Sequence, residues 1–336
     1  MNTRGPSLMI WISTGRCNLR CKHCYASRFL KEEQLSLKGF EKILDEALEI
    51  GLGHVSISGG EPLVRNDILD ILKLIREKGL TASLVTNATL ITSEIARALK
   101  EMDISVYVSI DGYRRETHER IRGYGSWSAL MKGIRRLKEQ SVSFSTVMAV
   151  SKINYVEVKG FLVMSEEMGA DSACIIPVMP SGRATADIIL SPWEIREVIR
   201  EADEYSSSYG YPVGLWCMPF ARLYAGSCWT TLCRTLEVVD LSPSGDLMAC
   251  DVLDIKLSNA LKEGFKIAWM RYSSSDIIKE LVHPRELPTP CQNCPIAAIC
   301  KGGCFARAYL LRGDFKGPDP LCPRAYRLRE GDVDAS

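Results

Sequence analysis

This 336-residue chain lacks long apolar runs, net charge and mid-chain cysteine. The apolar stretch SLMIWIST at 7–14 is far shorter than the roughly 20 residues that cross a bilayer. No basic region, apolar core and small-residue cleavage site follow one another at the N-terminus, so no signal peptide is read. The expected location is the cytoplasm, with no membrane partner. Forty-two basic residues against 41 acidic ones give a formal charge of +1. That balance excludes the broad basic footprint of a nucleic-acid binder and leaves room only for a local basic patch. At 46% hydrophobic and 25% charged, the composition is that of an ordinary globular protein, long enough for two domains.

The cysteines present are unevenly spread. Three of the 13 lie at 17, 21 and 24, none occurs from 25 to 173, and ten fall between 174 and 322. In a reducing compartment such crowding points to metal rather than disulfides. In CNLRCKHCY (17–25) three thiols crowd one loop, whereas a structural zinc or iron–sulfur site normally takes four protein ligands. Either a fourth ligand comes from elsewhere, or one metal position is left open for another molecule.

Between the cysteine clusters the chain alternates. Short β-branched or apolar runs occur at 7–14, 54–58, 81–87, 105–110, 143–150 and 173–178. Segments of helical period separate them at 36–50, 67–78, 93–101, 127–138 and 155–168. Six strand–helix units predict an α/β fold with right-handed crossovers, a partial (βα)6 TIM-like barrel. In such a sheet the chemistry belongs at the C-terminal strand ends, where Cys17 and GGE at 59–61 both fall. A boundary is expected between 181 and 215. There Ser191, Pro192 and Glu194 form a capping-box signature for a last helix, closed by SSSYGYP at 206–212. Residues 1–210 are therefore assigned to the barrel and 211–336 to a small irregular α+β domain. The second part shows one hairpin through Ser244-Gly245 and little periodicity, so metal staples would be needed to hold it.

CNLRCKHCY, with Tyr25 after the third cysteine, resembles the CxxxCxxC signature of radical S-adenosylmethionine (radical SAM) enzymes. The resemblance implies a [4Fe-4S] cluster held by Cys17, Cys21 and Cys24. Its open iron would chelate S-adenosylmethionine (AdoMet), whose reductive cleavage gives a 5′-deoxyadenosyl radical that abstracts hydrogen from substrate. A structural zinc loop is the competing reading of the three cysteines alone. SISGGEPL at 56–63 weighs against it, because it resembles the family's GGE segment, in which Gly59, Gly60 and Glu61 would meet the methionine amine. VSIDG (108–112) and RIRG resemble the segments by which relatives hold the cofactor, implying Ser109 at its methionine part and Arg122 at its carboxylate. Asn87 would line the ribose or simply serve the turn.

From residue 228 onward the spacing resembles the SPASM extension of the family, which carries two auxiliary [4Fe-4S] clusters. Carried over by position, one takes Cys228, Cys233, Cys250 and Cys304, and the other Cys291, Cys294, Cys300 and Cys322. Cys217 stands close enough in sequence to replace Cys228, and Cys174 reads as a small buried hydrophobe. Fully ligated auxiliary clusters imply electron transfer, and Asp251 matches the catalytic aspartate of the anaerobic sulfatase-maturating enzymes. The resemblance thus implies a three-cluster oxidoreductase that modifies a peptide or protein side chain, supplied by a low-potential donor such as ferredoxin or flavodoxin. The first strand begins by about residue 7, so no separate peptide-recognition domain is expected before it. That leaves a second reading, a radical SAM enzyme altering haem-type tetrapyrrole side chains, whose tail CKGGCFARAY…GDFKGPDPLC also resembles. A non-catalytic iron–sulfur carrier or zinc-stabilised module is the third; the GGE turn and the barrel-like repeat weigh against it.

Overall fold

The computed structural model describes residues 4–330, the last four of them by backbone alone. Strands β1 (Leu8–Ile12), β2 (His54–Ser58), β3 (Thr81–Thr86), β4 (Ser105–Ser109), β5 (Phe144–Val150) and β6 (Ala173–Pro177) pair in sequence order, all parallel. Helices α1 (Leu37–Glu49), α2 (Ile68–Glu77), α3 (Ser93–Glu101), α4 (Arg115–Arg122), α5 (Ser126–Glu139), α6 (Val158–Glu167) and α7 (Pro192–Tyr209) lie between and after them. The expected α/β partial barrel is therefore the fold.

Strand alternation explains the layering. Met9, Trp11, Val55, Ile57, Val106 and Val108 form buried core. Positions of the other parity are more polar: on β2 and β3, His54 hydrogen-bonds Thr81 and Ser83 across the strands at 2.7 and 2.9 Å. Ser36 caps α1 by accepting from Gly39 N, and Phe40, Ile43, Leu44 and Ala47 form its buried stripe. Trp11 and Phe40, both fully buried, stack with ring centres 3.8 Å apart and so bind the first strand to the first helix. The capping box at Ser191 forms as its sequence indicates, and α7 ends on Gly210 with φ of +66°.

The sheet does not stop at residue 210. Strands β7 (Val213–Leu215) and β8 (Trp229–Thr230) extend the β6 edge in parallel, while β9 (Val238–Leu241) pairs in parallel with β1 on the opposite edge. The hairpin β9–β10 (Asp246–Met248) and the antiparallel β11 (Lys256–Asn259) complete 11 strands. Strands of two to four residues are too short to show a period, which is why β7, β8 and β11 escaped the sequence reading. No helix among the described residues is long and apolar enough to cross a membrane.

Replacing Trp11 by Ala should cost about 3–5 kcal/mol in urea unfolding, the usual loss for a buried aromatic. A cost below about 1 kcal/mol would mean that the stack with Phe40 does not hold β1.

Candidate active site

The three-cysteine loop leaves the C-terminal end of β1 and is held by backbone contact. Gly60 N donates to Thr14 O at 2.7 Å and Glu61 N to Arg16 O at 2.9 Å. A Cβ on Gly60 would stand 2.1 Å from Arg16 O, and one on Gly59, at φ +144°, 2.5 Å from Thr14 O. The glycines of GGE are thus required because the chain that presents Cys17 passes directly over them. Glu61 is wholly buried, and its carboxylate accepts from Thr86 Oγ1 and Asn87 N, both at 2.7 Å, and from Leu63 N at 3.1 Å. Burial pushes its pKa up while these donors pull it back. They occupy three of about four carboxylate acceptor sites, leaving about one for a further donor. Asn87 donates to Asn18 Oδ1 at 3.0 Å and lies 3.9 Å from Cys17 Sγ, so it braces the loop as well as the turn after β3.

The second anchor is an ionic cluster that motif reading did not assign. Asp111, fully buried just beyond β4, accepts from Arg122 Nε at 2.6 Å and from Ala149 N at 2.8 Å, and meets His23 Nε2 at 2.5 Å. Burial would raise Asp111, but the Arg122 charge and His23 outweigh it and hold the carboxyl well below its usual range. Buried His118 is pushed down to about 4 by desolvation and the same arginine. Burial raises the Cys17 thiol and takes Cys21 to about 11, and in both Arg122 acts in the opposite sense. Arg122 therefore faces the cysteine loop from the end of α4, whose Ile121 O accepts from Lys22 N at 2.9 Å. Ser109 ends β4 beside Val147, two residues before Asp111, at the same end of the sheet. Asp111 and His23 sit inside VSIDG and CNLRCKHCY, so an acidic residue just past a strand and a histidine amid cysteines were the available signals.

The C-terminal cysteines gather into two sets. Cys291, Cys294, Cys300 and Cys322 line one small enclosed apolar cavity, and burial with mutual repulsion raises Cys300 to about 12. Cys217 hydrogen-bonds Cys233 and also feels Asp251, while Cys304 feels Cys217 and Cys250 feels Cys304. Cys228 lies instead against Asp203 of α7, which it meets through both its backbone N–H and its thiol. Cys217 thus stands with Cys233, Cys250 and Cys304, whereas Cys228, the residue carried over by position, lies apart from them against Asp203. Cys217 adopts φ +55°, a strained conformation for a non-glycine residue, fixed by Thr231 at its N–H and Arg307 at its carbonyl. Cys174 is buried in β6, as its apolar surroundings indicated.

Two buried arginines serve these sets. Arg307 forms a bidentate pair with Asp319, and Arg234 donates to Gly303 O. Arg307 Nη1 and Arg234 Nη2 are buried without a protein partner, and both guanidinium groups feel the Cys304 thiol. Such orphaned donors fit anionic thiolate- and sulfide-rich groups. Among the described residues, Asp240, Cys250 and Asp251 form the one trio of metal-ligating side chains within 4.8 Å of one another.

That trio joins the two regions. The Tyr25 hydroxyl, next to Cys24, hydrogen-bonds both Asp251 and Ser58, and burial raises the Tyr25 pKa well above its usual value. Asp251 N donates to Asp240 Oδ2 at 2.9 Å. Arg28 adds donors to the carbonyls of Asp251 and Leu253. Burial raises Asp251 while Tyr25 and Arg28 lower it. The structure thus brings together the end of the cysteine loop, Cys250 and the carboxylate expected to act as base.

Residues 11–163 match the model of the Radical SAM superfamily. This stretch is a radical SAM domain, and the chain is a radical SAM enzyme, a class that works with AdoMet and a [4Fe-4S] cluster. It is 27% identical over 342 residues to the AdoMet-dependent heme synthase of Methanosarcina barkeri, covering 95% of this chain and 97% of that protein. It is 29% identical over 342 residues to the mycofactocin maturase MftC of Mycobacterium tuberculosis, covering 96% and 84%. The crystal structure of Streptococcus suis SuiB bound to its precursor peptide SuiA has the same fold, with a TM-score of 0.77 at 16% identity over 95% of this chain and 76% of SuiB.

Two substitutions test the anchors. Gly60→Ala must displace the cysteine loop, so reconstituted protein should carry about four irons fewer, one cluster's worth; an unchanged iron count would show that the loop tolerates the Cβ. Asp111→Ala leaves Arg122 buried and uncompensated and should cost about 3–5 kcal/mol in denaturant unfolding at pH 7. Because the folded Asp111 pKa is depressed, its contribution is present above the unfolded value near pH 4 and lost as pH falls below it. The wild-type–variant gap should therefore close in acid; a gap independent of pH would assign the loss to packing.

Proposed function

We propose that this chain is a three-cluster radical SAM enzyme that oxidises a peptide or protein side chain. The observation that carries this reading is the Tyr25–Asp251 contact, which sets a carboxylate between the three-cysteine loop and Cys250. Cys17, Cys21 and Cys24 would hold the cluster that binds AdoMet. Cys217, Cys233, Cys250 and Cys304 would hold one auxiliary cluster, and Cys291, Cys294, Cys300 and Cys322 the other. When bound, these groups supply the electron that cleaves AdoMet and an acceptor for the electron left on substrate.

The chain's own residues do the rest. Gly59, Gly60 and the remaining acceptor site of Glu61 face the cofactor amine, Arg122 takes its carboxylate, and Asn87, Ser109 and Tyr25 border the same space. Loss of a hydrogen atom from substrate, then of one electron and one proton, is a two-electron oxidation; Asp251 receives the proton. Burial raises the proton affinity of Asp251 toward that task, and the Tyr25 hydroxyl fixes its orientation. Residues 1–210 would form the catalytic unit and 211–336 the auxiliary one, sharing one sheet, with a low-potential ferredoxin or flavodoxin as donor.

A second reading has its own support. The chain spans 97% of the M. barkeri heme synthase against 84% of the maturase, so a tetrapyrrole side chain is the competing substrate.

Protein reconstituted without oxygen, given AdoMet and dithionite, should form 5′-deoxyadenosine, and the C17A/C21A/C24A variant should not. Equal yields from both proteins would overturn the proposal. Incubation with peptides encoded beside the gene and, separately, with iron-coproporphyrin III, read by mass spectrometry, separates the two substrates. With whichever is modified, Asp251→Asn should lower product formation by roughly 10²–10⁴-fold while 5′-deoxyadenosine still forms. A variant that turns substrate over at the wild-type rate would remove Asp251 from the chemistry.

A further inference from the structure

A cavity of about 660 Å³ opens beside the cysteine loop, lined by Arg20, Lys22, Arg120, Lys152 and Arg183 with Asp187 at its wall. The five cations come from four regions: the loop around Cys21, helix α4, the segment after β5 and the segment after β6. Backbone contacts fix these segments against one another: Lys22 N donates to Ile121 O and Lys152 N to Ile188 O, both at 2.9 Å. Arg183 is bound to the loop itself, through Nε to Cys21 O at 2.9 Å and through its N–H to Cys24 O at 3.0 Å. Gly182 is pressed so closely that a Cβ there would lie 2.4 Å from Cys24 O.

Five cations against one carboxylate is an imbalance that the rest of the molecule does not share, since the whole chain has 42 basic and 41 acidic residues. Several surface cations elsewhere are compensated: Lys78 by Glu41 and Asp45, Arg200 by Glu197 and Glu204, Lys256 by Glu32 and Asp246. Among the described residues none of the five cavity cations forms an ion pair. Like charges held in a cleft repel one another and focus a positive potential into it. Arginine forks match carboxylates in particular. The volume lies within the 300–1,000 Å³ typical of small-molecule sites.

We propose that this cavity binds the carboxylate groups of the substrate, so that the enzyme acts on a polyanion carrying at least two of them. The inference deepens the proposed function and rests on it for the identity of the bound molecule as substrate. Arg183 connects recognition to chemistry, because the side chain that lines the cavity also holds the carbonyl of Cys21. Carboxylates could come from a tetrapyrrole or from an acidic peptide, and the test separates them.

Reconstituted holoenzyme would be titrated, without reductant, with coproporphyrin III, a tetracarboxylate, and with hexaglutamate, and again after Arg120→Glu/Lys152→Glu. Both side chains are exposed, and iron content checks that the double variant is intact. The proposal predicts that at least one probe binds, that its Kd rises at least tenfold in the double variant and with added salt, and that the AdoMet Kd moves less than twofold. Tighter coproporphyrin binding identifies a small polycarboxylate; tighter hexaglutamate binding identifies an acidic peptide. Binding unaffected by the double variant, no binding of either probe, or an equal loss for AdoMet would overturn it, the last assigning the cavity to the cofactor. Because no turnover is needed, these outcomes are independent of whether 5′-deoxyadenosine forms.

Discussion

The parallel pairing of β9 with β1 is the constraint on which the site depends. Leu8 to Trp11 stand opposite Val238 to Leu241, so the chain leaving β1 toward the three cysteines runs alongside the strand carrying Asp240. The hairpin then runs back antiparallel, setting Met248 opposite Asp240 and bringing Asp251 N to the Asp240 carboxylate, where Tyr25 and Arg28 meet them. A sheet that ended at residue 210 would leave the cysteine loop and the C-terminal cysteines as separate bodies. One continuous sheet makes them two walls of a single space.

Within that space the electrostatics run in one direction. Burial raises Cys21, Cys304 and Cys300, one thiol in each set, which makes bare thiolates there costly, and buried arginines stand opposite each set to offset that cost. Arg122 faces Cys17 and Cys21, Arg307 faces Cys304 and Cys217, and Arg234 faces Cys304, Cys300 and Cys291. Each arginine is in turn placed by a defined partner: Asp111, Asp319 or the carbonyl of Gly303. A protein that only needed to bury cysteines would have no use for three buried cations beside them, two with a guanidinium nitrogen left without a protein partner. Thiolate ligands of metal clusters do.

Much of this was legible because its signals are local. The six barrel strands and their helices, α4 excepted, showed in short-range periodicity, the capping box at Ser191 in a four-residue pattern, and the first cysteine set in nine residues. What was not legible depended on contacts distant in sequence. Spacing could not rank Cys217 against Cys228, since the choice turns on whether Thr231 and Arg307 hold a residue in a left-handed conformation or Asp203 draws its rival away. Asp111 and His23 lay inside quoted motifs, but their pairing needs α4 folded back onto the loop. The cavity cations come from separate segments and cancel in the net charge, so only the fold reveals them.

The central claim, that the chain gathers 11 cysteines into three cluster sites with Cys217 among them, is tested most directly by iron and sulfide content after anaerobic reconstitution. About twelve irons per chain are expected for the wild type and for Cys228→Ala, and about eight for Cys217→Ala. Loss of four irons on replacing Cys228, with Cys217→Ala retaining twelve, would contradict the account.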